Sequence, residues 1–321
     1  MSVAESTGVS GPVSRESVCC YYCGGAEHTP FVIAEDDLTG KPGRFTFVRC
    51  TECELVYQTP RIDVESIKRY YDDEYIAHRK TNDWGALNWF FQATMDRLDE
   101  RKLEIANRYA ALGADKEVLD VGCGAATFLV KVRSRYGASV SGVDFVDMSH
   151  REEIERIDFH CGLFYEVDLG ESRFDLVTMW HFLEHDYDPL RSLRRAHELM
   201  KPGGVLVVEV PRLDCVTQRL YRERWPGLQA PQHTVLFSRV MLEQFVSRAG
   251  FEILEYLPYG AYPAYFYLFA GAAFKALKGK GLNLSKAILP YFLGRILLSP
   301  VLLFEKRANL AMQTIVCRRA P

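Results

Sequence analysis

The stretch EVLDVGCGAATFLVKV, Glu117 to Val132, limits what this chain can fold into more than any other. It reads as a buried strand, a glycine loop and a helix. Val118, Leu119 and Val121 fill the strand, while Gly122 and Gly124 let the backbone turn tightly and approach a ligand that a Cβ would block. Twenty residues after Gly124 the next strand, ASVSGVD, ends in Asp144, a carboxylate able to accept both hydroxyls of a ribose. The alternation continues with DFHCG as a third strand and FDLVTM, Phe174 to Met179, as a fourth. A helix in PLRSLRRAHELM opens on proline and stops at KPGG, and VLVVEV, Val205 to Val210, is a fifth strand. SRVMLEQFVSRAG is a helix between a Ser238 cap and a Gly250 stop, and FEILEY is a sixth strand. Strands alternating with helices predict an α/β fold with a parallel sheet covered on both faces.

Upstream stand two C-x-x-C pairs, Cys20 with Cys23 and Cys50 with Cys53. Each pair can wrap two thiolates round one tetrahedral ion, and four thiolates suit Zn²⁺. RFTFV, Arg44 to Val48, alternates like a strand running into the second knuckle, which completes a zinc-ribbon layout. Cys19 lies beside the first pair, so Cys20 is chosen by its spacing to Cys23; Cys123, Cys161, Cys215 and Cys317 are scattered singly. A closed four-cysteine site is structural, so this metal is assigned to folding.

LDVGCG, the acid at Asp144, FDLV, FLEH (Phe182 to His185) and LMKPGG (Leu199 to Gly204) together resemble class I S-adenosylmethionine-dependent methyltransferases over roughly Asp115 to Tyr256. With the cysteine ribbon and RYYDDEY (Arg69 to Tyr75), the resemblance narrows to a zinc-ribbon subgroup that includes C-methyltransferases of deoxysugar nucleotides. One departure is Ala126, where the glycine loop often has a third glycine. A dinucleotide-binding Rossmann enzyme competes weakly, because DVGCGAA lacks the usual spacing. The resemblance implies a Rossmann-like class I methyltransferase sheet with a small N-terminal zinc ribbon and an apolar helical insert before the last strand. It divides the chain into a disordered tail (1–17), the ribbon (18–60), a helical connector and cofactor lid (61–112) and the methyltransferase domain (113–321). It also implies that Asp120, Gly122 and Gly124 shape the pocket for the methionine part of S-adenosylmethionine. Asp144 would bind the ribose, Leu163 and Phe164 would flank the adenine, and Trp180 and His181 would complete the cofactor site.

Methyl transfer to a protonated atom needs a base near neutral pH, and histidine suits that work. His233, in QAPQHTVLFS, is the first candidate, followed by His185 in FLEH and by Tyr75, which with Tyr71 is placed to close over the cofactor. The subgroup's sugar C-methyltransferases carry a Glu-His pair where this chain has Gln232 and His233, so carbanion formation loses its carboxylate here. The bland readings are a loop-bonding His233, and a Glu184-His185 pair that merely opens the next helix. TMWH after strand four lacks the acceptors that hold an exocyclic amine, which points to carbon or oxygen as the methyl acceptor.

The family pattern ends in a strand antiparallel to the sixth, here LAMQTIVCRR, Leu310 to Arg319, after a short connection. In this chain about fifty residues intervene, 258–309, with two apolar segments, YLPYGAYPAYFYLFAGAAF and AILPYFLGRILLSPVLLF, joined by KALKGKG. Pro258, Pro263, Pro290, Pro300 and Arg295 argue against spanning helices. A core-packed lid over the substrate is the favoured reading. An interfacial hairpin, with Lys275, Lys278 and Lys280 facing headgroups and peripheral membrane contact through 256–304, is the second.

A net charge of −3 supplies no broad footprint for nucleic acid, and none is expected as a partner. MSVAESTGVSGPVSRES has neither a basic n-region nor an apolar core, so the expected location is cytoplasmic, peripheral to the inner face of the membrane if the hairpin reading holds. The sequence thus predicts methyl transfer to carbon or oxygen of a sugar-derived or lipid-linked small-molecule acceptor. The alternatives are a small-molecule O-methyltransferase of quinone or polyketide type, a zinc-ribbon RNA methyltransferase, and a non-catalytic cofactor-binding or membrane-docking module.

Overall fold

The computed structural model describes residues 13–71, 88–282, 284–298, 300 and 304–320. Its N-terminal part contains β1 (Arg15–Glu16), β2 (His28–Ala34), β3 (Phe45–Cys50), β4 (Val56–Gln58), β5 (Arg61–Ile62) and the short helix α1 (Val64–Ile67). Strand β3 runs straight into Cys50 of the second knuckle, two residues beyond the expected end. The helical connector predicted over 61–112 begins with α1, a single turn capped by the Asp63 carboxylate and followed by a 3₁₀ turn at Lys68–Tyr70. The rest of RYYDDEY, Tyr75 included, lies outside the described residues.

The methyltransferase-like part follows as α2 (Asn88–Ala110), β6 (Glu117–Val121), α3 (Thr127–Tyr136), β7 (Ser139–Asp144), β8 (Asp158–Cys161), β9 (Phe174–Trp180), α4 (Pro189–Leu199), β10 (Met200–Pro211), α5 (Val216–Tyr221), β11 (Val235–Leu236), α6 (Arg239–Arg248), β12 (Phe251–Leu257), α7 (Ala264–Leu277), α8 (Leu284–Leu297) and β13 (Met312–Arg319). The main sheet has the order β12-β13-β10-β9-β6-β7-β8. Its strands β8, β7, β6, β9 and β10 are parallel, and β13 is antiparallel to both β10 and β12. Leucines of α4 and Leu242 and Phe245 of α6 fill one face, while Leu103 of α2 and Phe128 and Leu129 of α3 fill the other. Both faces are therefore dry, which suits the near-continuous apolar runs of the central strands.

Two local expectations need correction. KPGG does not merely stop α4: the chain is already in β10 at Met200, and the register with β9 shifts between Met200 and Val205. The ribbon is also less separate than its spacing suggests. Its antiparallel sheet, β11-β4-β3-β2, takes its edge strand from the loop after β10, with Val235 opposite Tyr57 and Leu236 opposite Val56.

Among the described residues no helix is long and apolar enough to cross a membrane. The insert before β13 forms two apolar helices, α7 and α8, the second containing Pro290.

Candidate active site

A cavity of about 720 Å³ opens at the carboxyl ends of the parallel strands, where an open α/β sheet places its ligands. The glycine loop forms one wall. Gly122 and Gly124 have φ of +74° and +51°, and a Cβ added at Gly124 would meet nothing within 4 Å, so the loop leaves open space beside its backbone. The Gly124 N–H donates to Asp144 Oδ2 at 2.9 Å and the Val146 N–H to Oδ1 at 3.0 Å. A carboxylate oxygen can accept more than one hydrogen bond, so the group that fixes the loop is of the kind that also accepts from a ribose. Leu163, Phe164 and Trp180 line the same wall. Ala126, at the loop's end, holds φ of +56° despite its methyl group.

Asp120 is the exception among the expected cofactor residues. It is absent from the cavity lining and lies buried under the loop, accepting from the Thr178 hydroxyl at 2.6 Å. Burial pushes its carboxyl up to about 7, against the pull of Lys102 and the Thr178 bond.

Beyond β9 the chain makes a 3₁₀ turn at Leu183–His185, and α4 is capped by Asp188, not by Glu184 or His185. Those two residues face inward. His181, in a left-handed conformation at φ +55°, lines the cavity with its Nδ1 at 3.3 Å from Glu184 Oε1 and its Nε2 at 3.2 Å from Glu209 Oε1. Neither approach has the alignment of a hydrogen bond, so these are ion contacts. Burial would lower the His181 pKa, but the two carboxylates raise it to about 9, which makes it an imidazolium and no base. Glu209, at the end of β10, is completely buried and also accepts the N–H groups of Ala261 and Tyr262 at 2.6 and 3.1 Å.

His185 and His233 stand edge to face with ring centroids 4.4 Å apart. Nδ1 of His185 lies 2.9 Å from the Tyr71 hydroxyl and 3.2 Å from the Gln232 carbonyl. Nδ1 of His233 donates to the Gly227 carbonyl at 2.8 Å, which leaves the Nε2 lone pair for a proton. Burial holds both imidazoles down at about 3, helped at His185 by its histidine neighbour, so both are neutral. Gln232, in place of the expected acid, is buried and donates to the Tyr70 carbonyl at 3.1 Å.

The missing carboxylate comes from elsewhere. Glu184, His185 and His233 each offer a ligand atom within 4.8 Å of the others, and both Glu184 oxygens lack an aligned hydrogen bond. Glu184 can therefore stabilise a protonated His233, and the three groups have spacing that a divalent cation can use. Sequence reasoning passed over both buried acids. Glu209 left a signal, a lone carboxylate inside the apolar strand VLVVEV. The alternative in which Glu184 merely opens the next helix fails, since Asp188 caps α4.

The far side of the cavity is aromatic, with Trp225, Tyr262, Phe266, Tyr267 and Phe274 on the loop after β10 and on or just before α7. In the ribbon, Cys20 and Cys53 have sulfurs 3.4 Å apart, as do Cys23 and Cys50, and all four lie within 4.8 Å of one another. Four converging sulfurs at this spacing fit one tetrahedral Zn²⁺.

A family model described as a methyltransferase domain matches residues 91–256. The ubiquinone biosynthesis O-methyltransferase of Azorhizobium caulinodans is 30% identical over 190 residues, covering 55% of this chain and 69% of that enzyme. The enzyme of the same name from Coxiella burnetii is 37% identical over 98 residues, 28% of this chain, and the match spans only 42% of its length. Among solved structures, geranyl diphosphate C-methyltransferase from Streptomyces coelicolor A3(2), with Mg²⁺, geranyl diphosphate and S-adenosyl-L-homocysteine, superposes with a TM-score of 0.52 at 14% identity. That superposition covers 80% of this chain and 98% of the other, a likeness of fold.

Proposed function

The chain belongs to the methyltransferase-domain family, and on that premise we propose that it is an S-adenosylmethionine-dependent enzyme that methylates a hydroxyl oxygen on a small, largely apolar acceptor of quinone or polyketide type. The observation that carries this reading is the neutral His233, with Glu184 beside it, between the glycine-loop wall and the aromatic wall of one cavity. Two similar enzymes named ubiquinone biosynthesis O-methyltransferase support oxygen as the acceptor atom. The sugar-derived acceptor suggested by the ribbon subgroup has less support, since the similar enzymes are named for ubiquinone biosynthesis.

Bound at the glycine loop, S-adenosylmethionine supplies an electrophilic methyl group on a sulfonium. Asp144 and the loop backbone would hold its ribose, and Leu163 and Phe164 would cover its adenine. His233 Nε2 takes the hydroxyl proton as the acceptor oxygen gains the methyl group. The imidazolium forms as the sulfonium charge is lost, so the cavity's total charge does not change and burial opposes the step less than it opposes protonation of the empty site. Glu184 offsets the new charge.

A second reading rests on the Glu184, His185 and His233 spacing: a divalent cation held there would lower the pKa of the hydroxyl directly. Transfer of labelled methyl to phenolic acceptors carrying apolar chains tests both. In the first reading His233→Asn lowers kcat at least ~100-fold with cofactor affinity kept, and chelators of divalent ions are without effect once the ribbon is intact. No transfer to any hydroxylated acceptor, with cofactor bound, would sink the O-methylation reading.

A further inference from the structure

The two helices of the insert differ in what they cover. Helix α7 contributes Phe266, Tyr267 and Phe274 to the cavity wall. On its other side Tyr265 and Phe269 pack on Tyr291 of α8, with ring centroids 4.9 and 5.3 Å apart, and Gly294 lets α8 approach the Tyr265 hydroxyl. The opposite face of α8 carries Leu289, Leu293, Ile296 and Leu297, each more than half exposed. This i, i+4, i+7, i+8 spacing normally marks the side of a helix that meets a core. Leu298 and Phe304 extend the patch, so six of the eleven exposed large apolar side chains among the described residues fall between 289 and 304.

Charge identifies what covers the patch. The insert 258–309 holds seven cationic side chains, Lys275, Lys278, Lys280, Lys286, Arg295, Lys306 and Arg307, against one carboxylate, Glu305, in a chain of net charge −3. That carboxylate is used internally, where it accepts the Ala264 N–H at 2.6 Å at the start of α7. Lys275, Lys278 and Lys280 are exposed at one end of the hairpin, and Lys306 and Arg307 beyond its other end. A second copy of this chain would bring like charges together across the patch, whereas an anionic lipid surface would meet both the apolar residues and their basic flanks. A helix of fourteen residues containing Pro290 is too short to span a bilayer but long enough to lie in its interface.

We propose that the exposed face of α8, with the flanking lysines, docks this protein peripherally on anionic membranes. Docked this way, α7, which contributes the aromatic wall, is the part of the cavity nearest the lipid, which suits an acceptor with an apolar chain.

The test is co-sedimentation of the full chain with vesicles of phosphatidylcholine alone or mixed equally with phosphatidylglycerol. It needs no methyl transfer, so its failure leaves the enzyme reading standing. The wild type is expected to sediment with the mixed vesicles at low salt and to be released as salt rises. Leu293→Glu with Ile296→Glu, on exposed positions that leave the melting temperature unchanged, is expected to lower the partition coefficient roughly tenfold or more. Lys278→Glu with Lys280→Glu is expected to do the same on mixed vesicles only. The proposal fails if the wild type stays in solution with both vesicle types, or if the leucine–isoleucine variant binds as the wild type does. It fails equally if that variant only converts a dimer to a monomer.

Discussion

The side-chain amide of Gln58, on the strand that leaves the second cysteine knuckle, donates to the backbone carbonyl of His233 at 3.2 Å. The Gln58 N–H donates to the Thr234 carbonyl at 2.8 Å, and the pairing of β4 with β11 continues the contact. The ribbon is thus part of the mount that positions the proposed base. Gln58→Leu removes one buried donor and leaves carbonyls unpaired, at a cost of about 1–3 kcal/mol. The expected result is a fall in kcat with unchanged zinc content and cofactor affinity. Unaltered kcat in a correctly folded variant would separate the ribbon from catalysis.

Metal removal should act through the same contact. The purified protein is expected to contain one zinc per chain. Stripping it, or replacing Cys23 and Cys53 with serine, is expected to lower the melting temperature and abolish transfer together. Metal analysis alongside a melting curve checks this, and full stability in a zinc-free protein contradicts it.

Asp120 predicts a pH dependence for the cofactor-free protein. Burial raises its folded-state pKa from 3.8 to about 7, so its carboxyl favours the folded state fully below pH 3.8 and loses that contribution as pH rises through 7. Stability should therefore fall from about pH 4 to about pH 7 and level off above that in the wild type, and stay flatter over that window in Asp120→Asn. At about 2–4 °C per kcal/mol for a domain of this size, the difference is readable by thermal melting.

His181 holds two buried carboxylates apart. His181→Asn keeps a residue type that tolerates the left-handed backbone but leaves Glu184 and Glu209 facing each other without a cation. The expected loss is about 3–5 kcal/mol in urea denaturation. Adding Glu209→Gln should recover part of it, and an additive double variant would show that the ion contacts carry no coupling.

The parts legible in the sequence were those encoded locally. The glycine loop, Asp144 and the cysteine pairs each depend on neighbours a few residues apart, and the α/β order follows from apolar runs. What escaped depends on contacts between distant segments. Val235–Leu236 is too short to register as a strand, and its partner lies in the ribbon. Glu184 looked like a helix opener because Asp188, the actual cap, sits four residues further on. Asp120 was placed at the cavity by resemblance alone, and in this structure it turns to the Thr178 hydroxyl instead. Gln232 appeared to deprive His233 of a carboxylate that the fold supplies from the turn after β9.

The insert leaves the sheet at Leu257 and the chain returns by Met312, on strands that lie side by side with Leu257 paired to Thr314. Both junctions are therefore neighbouring rungs of one ladder, a gap that a tight turn could close. The hairpin is inserted at a single point, so it can lengthen or shrink beyond Tyr262 without rethreading the sheet. Acceptor preference in this architecture can diversify independently of the chemistry of the methyl donor.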